Sequence, residues 1–309
     1  MGSKNKEEQF QGVWPAMFTP VNEAGTLNTT ELEKLIELLV KEQVDGLYLL
    51  GSTGQGFLFS EAQRMHVTEA TLEIVNKRLP VMVQVGALNT DESVRLAKHA
   101  AQKGADGISA VGPIYYGASE KMAIQHYSRI ALATDLPFFP YQIGKVTAGN
   151  EELIKVLLEI PNVYGMKLTT QNLLEISSIH LRAGNNWKLF SGADELLCHA
   201  ALCGTAGAIG TTYNLIGSTC KYIRRSFLDG QVMEASTFML ELQHLIEQIL
   251  PVVWSFFRRA MIVKHGIDIG DPKPPLLPGK LPWSDEEILE MVNKLDRFAV
   301  QQLPAIDNH

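Results

Sequence analysis

Cysteine is scarce in this 309-residue chain, positive charge is in deficit, and long apolar runs are missing. The 3 cysteines, Cys198, Cys203 and Cys220, are too few for a disulfide framework, and their surroundings do not form paired CxxC hooks for a metal. A formal net charge of −7 argues against a nucleic-acid surface, which needs clustered positive charge. No apolar stretch approaches the roughly 20 residues of a membrane span. The 8 histidines are scattered, with no HExxH or other ligand spacing, so no metal site is expected. The start, Met1-Gly2-Ser3-Lys4-Asn5-Lys6-Glu7-Glu8, is polar throughout, so it does not read as a signal peptide, and Lys6 breaks the myristoylation pattern. A soluble, reducing, cytoplasmic setting is the expectation.

What the sequence does have is 46% hydrophobic residues arranged in a regular series. Short apolar runs begin near Val13, Leu47, Val81, Gly107, Pro137, Val163, Lys188 and Ala206, each ending in Gly, Ser, Thr or Pro. Their spacing, roughly 20 to 35 residues, is that of one strand–helix unit. Continuous rather than alternating apolarity suits parallel strands buried on both faces. Between the runs, Asn28-Thr29-Thr30-Glu31, Ser60-Glu61-Ala62-Gln63 and Asn89-Thr90-Asp91-Glu92 fit helix capping boxes. The first is followed by Leu32, Leu35, Ile36 and Leu39 at helical spacing.

Eight alternations favour an α/β fold of the (β/α)8 barrel type over an open Rossmann-like sheet of about six units. The pattern changes after Asp229. Residues 232–267 read as long helices with Leu240, Leu242, Leu245, Ile246, Ile249 and Leu250 on apolar stripes. A connector, Asp271-Pro272-Lys273-Pro274-Pro275, follows, and a last helix should run from Ser284 to about Gln301. The expected division is a polar tail at 1–10, a catalytic barrel at 11–229 and a helical appendage at 230–309.

In a barrel, chemistry gathers where strands end at their C-terminal side. Lys167 ends the run Val163-Tyr164-Gly165-Met166. It is either a buried, nucleophilic amine or a strand-end lysine whose head reaches solvent. Tyr141 ends Phe138-Phe139-Pro140 and reads as a proton relay or a core aromatic with one hydrogen bond. Gly51-Ser52-Thr53-Gly54-Gln55-Gly56 is neither a Walker A loop nor GxGxxG. Its amides and hydroxyls would suit a carboxylate or phosphate, unless it is only a tight turn. After Gly192, Asp194 reads most simply as a helix N-cap and Glu195 as a first-turn acid. The alternative is a pair of carboxylates holding the hydroxyls of a sugar-like chain. Cys198 and Cys203 are most simply small core residues.

Taken in order, these motifs resemble the pyruvate-dependent class I aldolases that include N-acetylneuraminate lyase and dihydrodipicolinate synthase. The matching positions are Pro15-Ala16 to Thr19-Pro20, Gly51-Ser52-Thr53-Gly54, Pro113 with Tyr115-Tyr116, Tyr141, Gly165-Met166-Lys167, Gly192 with Asp194, and Gly210 with Asn214. They cover most of the chain.

The resemblance implies a Schiff-base lysine at Lys167 and a general acid/base at Tyr141. It assigns the pyruvate carboxylate to Ser52 and Thr53, with Ser52 also linking Tyr141 to a proton relay. Tyr116 would lie at a tyrosine contact near a subunit interface of a homotetramer. Gly192-Ala193-Asp194-Glu195, Gly210-Thr211 and Thr169 look like the sugar-holding positions of the sialic acid lyases. Cleavage of N-acetylneuraminate to N-acetylmannosamine and pyruvate is therefore the expected reaction, with no metal or organic cofactor. Dihydrodipicolinate synthase, another sugar-acid aldolase, a metal-dependent barrel aldolase and a non-catalytic pyruvate- or sugar-binding barrel are the rivals. Against the first, Val146 stands where an Arg for a second carboxylate is expected, with Lys145 beside it. Three further positions depart from the family pattern: Gln55 in place of Glu, Gly144 in place of Pro, and Pro140 just before Tyr141.

Overall fold

A computed structural model describes residues 9–116, 119–143 and 151–300. Eight parallel strands form one sheet: β1 (Gly12–Pro15), β2 (Leu47–Leu49), β3 (Val81–Gln84), β4 (Gly107–Val111), β5 (Phe138–Ile143), β6 (Gly165–Thr169), β7 (Lys188–Ser191) and β8 (Gly207–Gly210). Each strand pairs with its neighbour in sequence, and β8 returns to β1. A parallel bridge between Ala16 and Tyr48, with Met17 N–H donating to the Tyr48 carbonyl at 2.9 Å, joins β1 to β2 and closes a (β/α)8 barrel. Every strand starts within two residues of an apolar run named above, because a strand covered on both faces has no polar side to alternate with.

The outer layer comprises α1 (Thr29–Lys41), α2 (Glu61–Val75), α3 (Thr90–Gln102), α4 (Glu120–Ala131), α5 (Glu151–Glu159), α6 (Leu173–Ala183), α7 (Leu197–Leu202) and α8 (Tyr213–Leu228). Helix α1 buries Leu32, Leu35, Ile36 and Leu39, the stripe expected from spacing. All three anticipated caps form. Only Ser60 and Gln63 close the full reciprocal box; the Asn28 and Asn89 side chains each accept the amide three residues on.

Two layers make the core, the inner one rich in aromatic residues. Trp14, Met82, Phe139, Phe190 and Ile209 fill the barrel, and Phe10 closes its N-terminal end against Trp14 and Phe139. The aliphatic faces of the strands meet the helices outside.

Beyond Asp229 come α9 (Val232–Ile249), α10 (Val253–His265) and α11 (Asp285–Val300). Ser284 and Glu287 form a capping box at the start of α11. In α9 the buried face is Ala235, Phe238, Met239, Leu242, Leu245 and Ile249. Leu240, placed on an apolar stripe by sequence, is exposed, as is Leu250 just after the helix. The i, i+3, i+4 spacing of the buried set leaves Leu240 on the opposite side.

The Pro-rich connector has no helix or strand but docks onto the barrel mouth. Lys273 N–H donates to Gln55 Oε1 at 2.6 Å, and the Lys273 ammonium donates to the Gly25 carbonyl at 2.7 Å while lying over the Phe59 ring.

Candidate active site

The site is built at the C-terminal ends of β5 to β8 and β2. Lys167 on β6 is 4% exposed. Its Nζ lies 4.3 Å from the Tyr141 ring centroid and 4.4 Å from that of Tyr48. No carboxylate comes within ion-pair distance of it among the described residues. Burying an ammonium without a counter-ion is costly, and two aromatic faces offset only part of that cost. The snorkelling alternative is therefore overturned: the amine points into the barrel mouth.

Tyr141 is the register partner of Lys167 across the β5–β6 ladder. Its hydroxyl shares a 3.1 Å hydrogen bond with Thr169 Oγ1. Ser52, expected to link Tyr141 to a relay, is exposed on its turn, and among the described residues the phenol's hydrogen bond goes to Thr169 instead. The turn after β2 carries left-handed backbone at Leu50 (φ 56°) and Gln55 (φ 54°), a strained geometry for residues with side chains. Thr19 Oγ1 donates to the Gly54 carbonyl at 2.9 Å, and the Lys273 amide binds Gln55, so the turn is held from two sides. Gln55, the departure from Glu, uses only its carbonyl oxygen in that contact, an acceptor either residue would supply.

Thr53 is buried, and its hydroxyl lies 2.7 Å from that of Thr211, just beyond β8. Asp194 is not an N-cap. It is buried, and its Oδ2 accepts from both the amide and the hydroxyl of Thr212 at 2.7 Å. Burial still pushes its carboxyl above the ordinary value, Thr212 and Lys167 opposing the shift. Glu195 is half-buried, and its backbone carbonyl accepts from Gln243 Nε2 of α9 at 2.8 Å.

Two glycines are required by close approach. A Cβ at Gly192 would fall 2.0 Å from Thr169 Oγ1 and 3.0 Å from Lys167 Cε. One at Gly210 would fall 1.9 Å from Asp194 Oδ1. The structure thus brings Tyr141, Lys167, Thr169, Gly192, Asp194 and Gly210 into one contiguous set and joins Thr53 to Thr211. Tyr116 stands apart, 72% exposed on the β4–α4 loop, its ring edge-on to that of Tyr115 at 5.2 Å. Gly144, Lys145 and Val146 lie outside the described residues.

Three residues escaped the sequence reading. Tyr48 covers the Lys167 amine and donates its hydroxyl to Ser109 Oγ at 3.1 Å; burial pushes its phenol well above the usual range, so it stays neutral. Gln84, almost wholly buried, is the register partner of Ser109 on the next strand. The signal was present: Tyr48, Gln84 and Ser109 are polar groups inside otherwise apolar strand runs, which only a reason in the barrel interior explains. Cys198 and Cys220 are buried. Burial pushes the Cys198 thiol up to about 11 and that of Cys220 well above its ordinary value, so neither serves as a thiolate nucleophile.

The arrangement is that of amine chemistry: a desolvated primary amine, a phenol beside it and hydroxyl and carboxylate groups around the rim. Comparison with known proteins agrees in kind. The model of the dihydrodipicolinate synthetase family matches residues 9–294. N-acetylneuraminate lyase of Rattus norvegicus is 32% identical over 281 residues, 87% of this chain and 88% of that protein. N-acetylneuraminate lyase of Salmonella agona (strain SL483) is 32% identical over 296 residues, 95% of this chain and 98% of that one. Among solved structures, N-acetylneuraminate lyase from Fusobacterium nucleatum superposes with a TM-score of 0.82 at 29% identity, covering 94% of this chain and 98% of that chain.

Proposed function

The chain belongs to the dihydrodipicolinate synthetase family, and from that premise we propose that it is a carbon–carbon lyase cleaving N-acetylneuraminate to N-acetylmannosamine and pyruvate through a Schiff base on Lys167. The observation that carries this reading is the buried Lys167 amine set between the rings of Tyr48 and Tyr141.

The Lys167 amine attacks the C2 carbonyl of the open-chain sugar acid. Tyr141 gives its phenolic proton to the departing hydroxyl, so that water leaves, the imine stays protonated and Tyr141 becomes the base for the next step. The protonated imine then accepts the electron pair of the C3–C4 bond as it breaks. Tyr141 takes the proton of the C4 hydroxyl, so that C4 leaves as the aldehyde of N-acetylmannosamine. Tyr141 passes that proton to C3 of the resulting enamine, and hydrolysis of the imine returns the Lys167 amine, gives Tyr141 its proton back and releases pyruvate. Thr169 Oγ1, bonded to the phenol, keeps the Tyr141 oxygen oriented through these transfers. Ser52 and Thr53 bind the carboxylate at the reacting end, while Thr169, Gly192, Asp194, Glu195, Gly210 and Thr211 line the path of the polyhydroxylated tail. Asp194 and Glu195 favour a hydroxyl-rich substrate over one with a second carboxylate, which two acids would repel.

In this reading residues 11–229 are the catalytic barrel and 230–309 an appendage that braces the mouth through Gln243 and Lys273. The enzyme works as a homotetramer in the cytoplasm. The exposed Tyr115–Tyr116 pair supports the assembly, since aromatic side chains 80% and 72% exposed gain most from burial against a second subunit. Among the described residues, no helix is long and apolar enough to cross a membrane.

The test is a paired assay: release of N-acetylmannosamine and pyruvate from N-acetylneuraminate, against condensation of pyruvate with aspartate semialdehyde. Cleavage without condensation is expected; condensation alone would move the chain to the synthase branch of its family.

A further inference from the structure

Thr53 and Thr211 belong to opposite halves of the proposed substrate, the carboxylate end and the tail, yet their hydroxyls lie 2.7 Å apart. Each hydroxyl owns one proton, and an ionised carboxylate only accepts. If Thr53 gives its proton to the carboxylate, the 2.7 Å contact survives only with Thr211 as donor and Thr53 Oγ1 as acceptor. Thr53 is 6% exposed, so water is poorly placed to replace that donor.

Thr211 is itself held in position. Its backbone carbonyl accepts from Asn214 Nδ2 at 2.9 Å and from the Asn214 amide at 3.2 Å. The same Asn214 Nδ2 donates to the Ala16 carbonyl at 2.8 Å, tying this corner to β1, which lies between β2 and β8. A β-branched side chain on so fixed a backbone has little freedom to turn its hydroxyl elsewhere.

We propose that Thr211 is a positioning residue of the carboxylate pocket, donating to Thr53 so that Thr53 donates to the substrate carboxylate. The inference rests on the Schiff-base reading of Lys167 and deepens it. Polarisation along the chain strengthens the bond to the carboxylate. It also fixes what Thr211 offers the tail: its proton is committed to Thr53, so it accepts from a sugar hydroxyl instead of donating to one.

The experiment titrates pyruvate alone, with no sugar present, and traps the imine with borohydride, measuring the pyruvate concentration that half-saturates the Lys167 adduct. Thr211→Val is expected to raise that concentration about three- to tenfold, the worth of one neutral hydrogen bond. Thr211→Ser should restore the wild-type value, and Thr211→Ala should repeat the loss without added bulk. Thr53→Val combined with Thr211→Val should be no worse than Thr53→Val alone, since both substitutions cut one chain. Wild-type half-saturation in Thr211→Val and Thr211→Ala, or additive losses in the double variant, would overturn the inference alone. Absence of any adduct in the wild type would overturn the Schiff-base reading and this inference with it.

Discussion

Lys167 and Tyr141 are register partners on adjacent parallel strands, and the lysine Nζ lies 4.3 Å from the centre of the tyrosine ring. The backbone ladder, rather than a flexible loop, sets that separation. The proposed nucleophile and proton carrier are therefore positioned by the most rigid part of the barrel, as efficient proton transfer demands.

Replacing Lys167 by Met keeps the length and the packing and removes the amine. Turnover is expected to vanish while the fold persists. Melting should occur at or above the wild-type temperature, because a buried polar amine with no ion pair among the described residues is exchanged for an apolar group. Thermal unfolding followed by circular dichroism checks this; a large loss of stability would mean the amine has structural partners.

Tyr141→Phe deletes the hydroxyl bonded to Thr169 and leaves the ring over Lys167. Cleavage should slow by about 10²- to 10⁴-fold, the usual worth of a positioned general acid/base. Borohydride should still trap pyruvate on the lysine. Near-wild-type kcat in this variant would take the proton-carrier role away from Tyr141.

A single methyl at residue 192 should be enough to disable the site. In Gly192→Ala the new Cβ meets Thr169 Oγ1 at 2.0 Å and Lys167 Cε at 3.0 Å, so both side chains must move. Displacements near 1 Å at a reacting group cost about 10²-fold in rate. A kcat/KM within threefold of wild type would contradict the packing described for this corner.

Asp194 makes stability depend on pH in a defined sense. Burial raises its carboxyl above the ordinary value, so in the acidic range just above that value the folded protein still holds a proton that the unfolded chain has released. Folding stability contributed by this group therefore falls as pH rises through the interval between the unfolded and folded values. Asp194→Asn keeps an acceptor for Thr212 and removes the titration. The melting temperature of the variant minus that of the wild type should grow with rising pH across the acidic range and then level off. A gap that stays flat or shrinks would contradict the assignment. Cleavage by the variant should show a raised KM for the sugar acid.

The barrel was readable from the sequence because its eight strands are buried on both faces and so appear as unbroken apolar runs. The order of the motifs, too, marked Lys167, Tyr141 and Asp194 before any coordinates. What the sequence reading missed depended on contacts between residues far apart in the chain. Thr53 and Thr211 are separated by 158 positions, and no local pattern links their hydroxyls. Tyr48 lies inside the apolar run that begins near Leu47, and only closure of the barrel brings its ring to Lys167 on a non-adjacent strand. The local rule that made Asp194 a helix cap lost to Thr212, 18 residues on, which offers two donors where a cap position offers fewer. Leu240 shows the converse limit: in a helix rich in leucine on several sides, apolarity alone did not say which face was covered.

The most direct test of the account is mass spectrometry of the Lys167 peptide after incubation with pyruvate and borohydride. The account predicts a reduced pyruvate adduct on Lys167 in the wild type and none in Lys167→Met. An active enzyme that carries no adduct on Lys167, or carries it on another lysine, would contradict it.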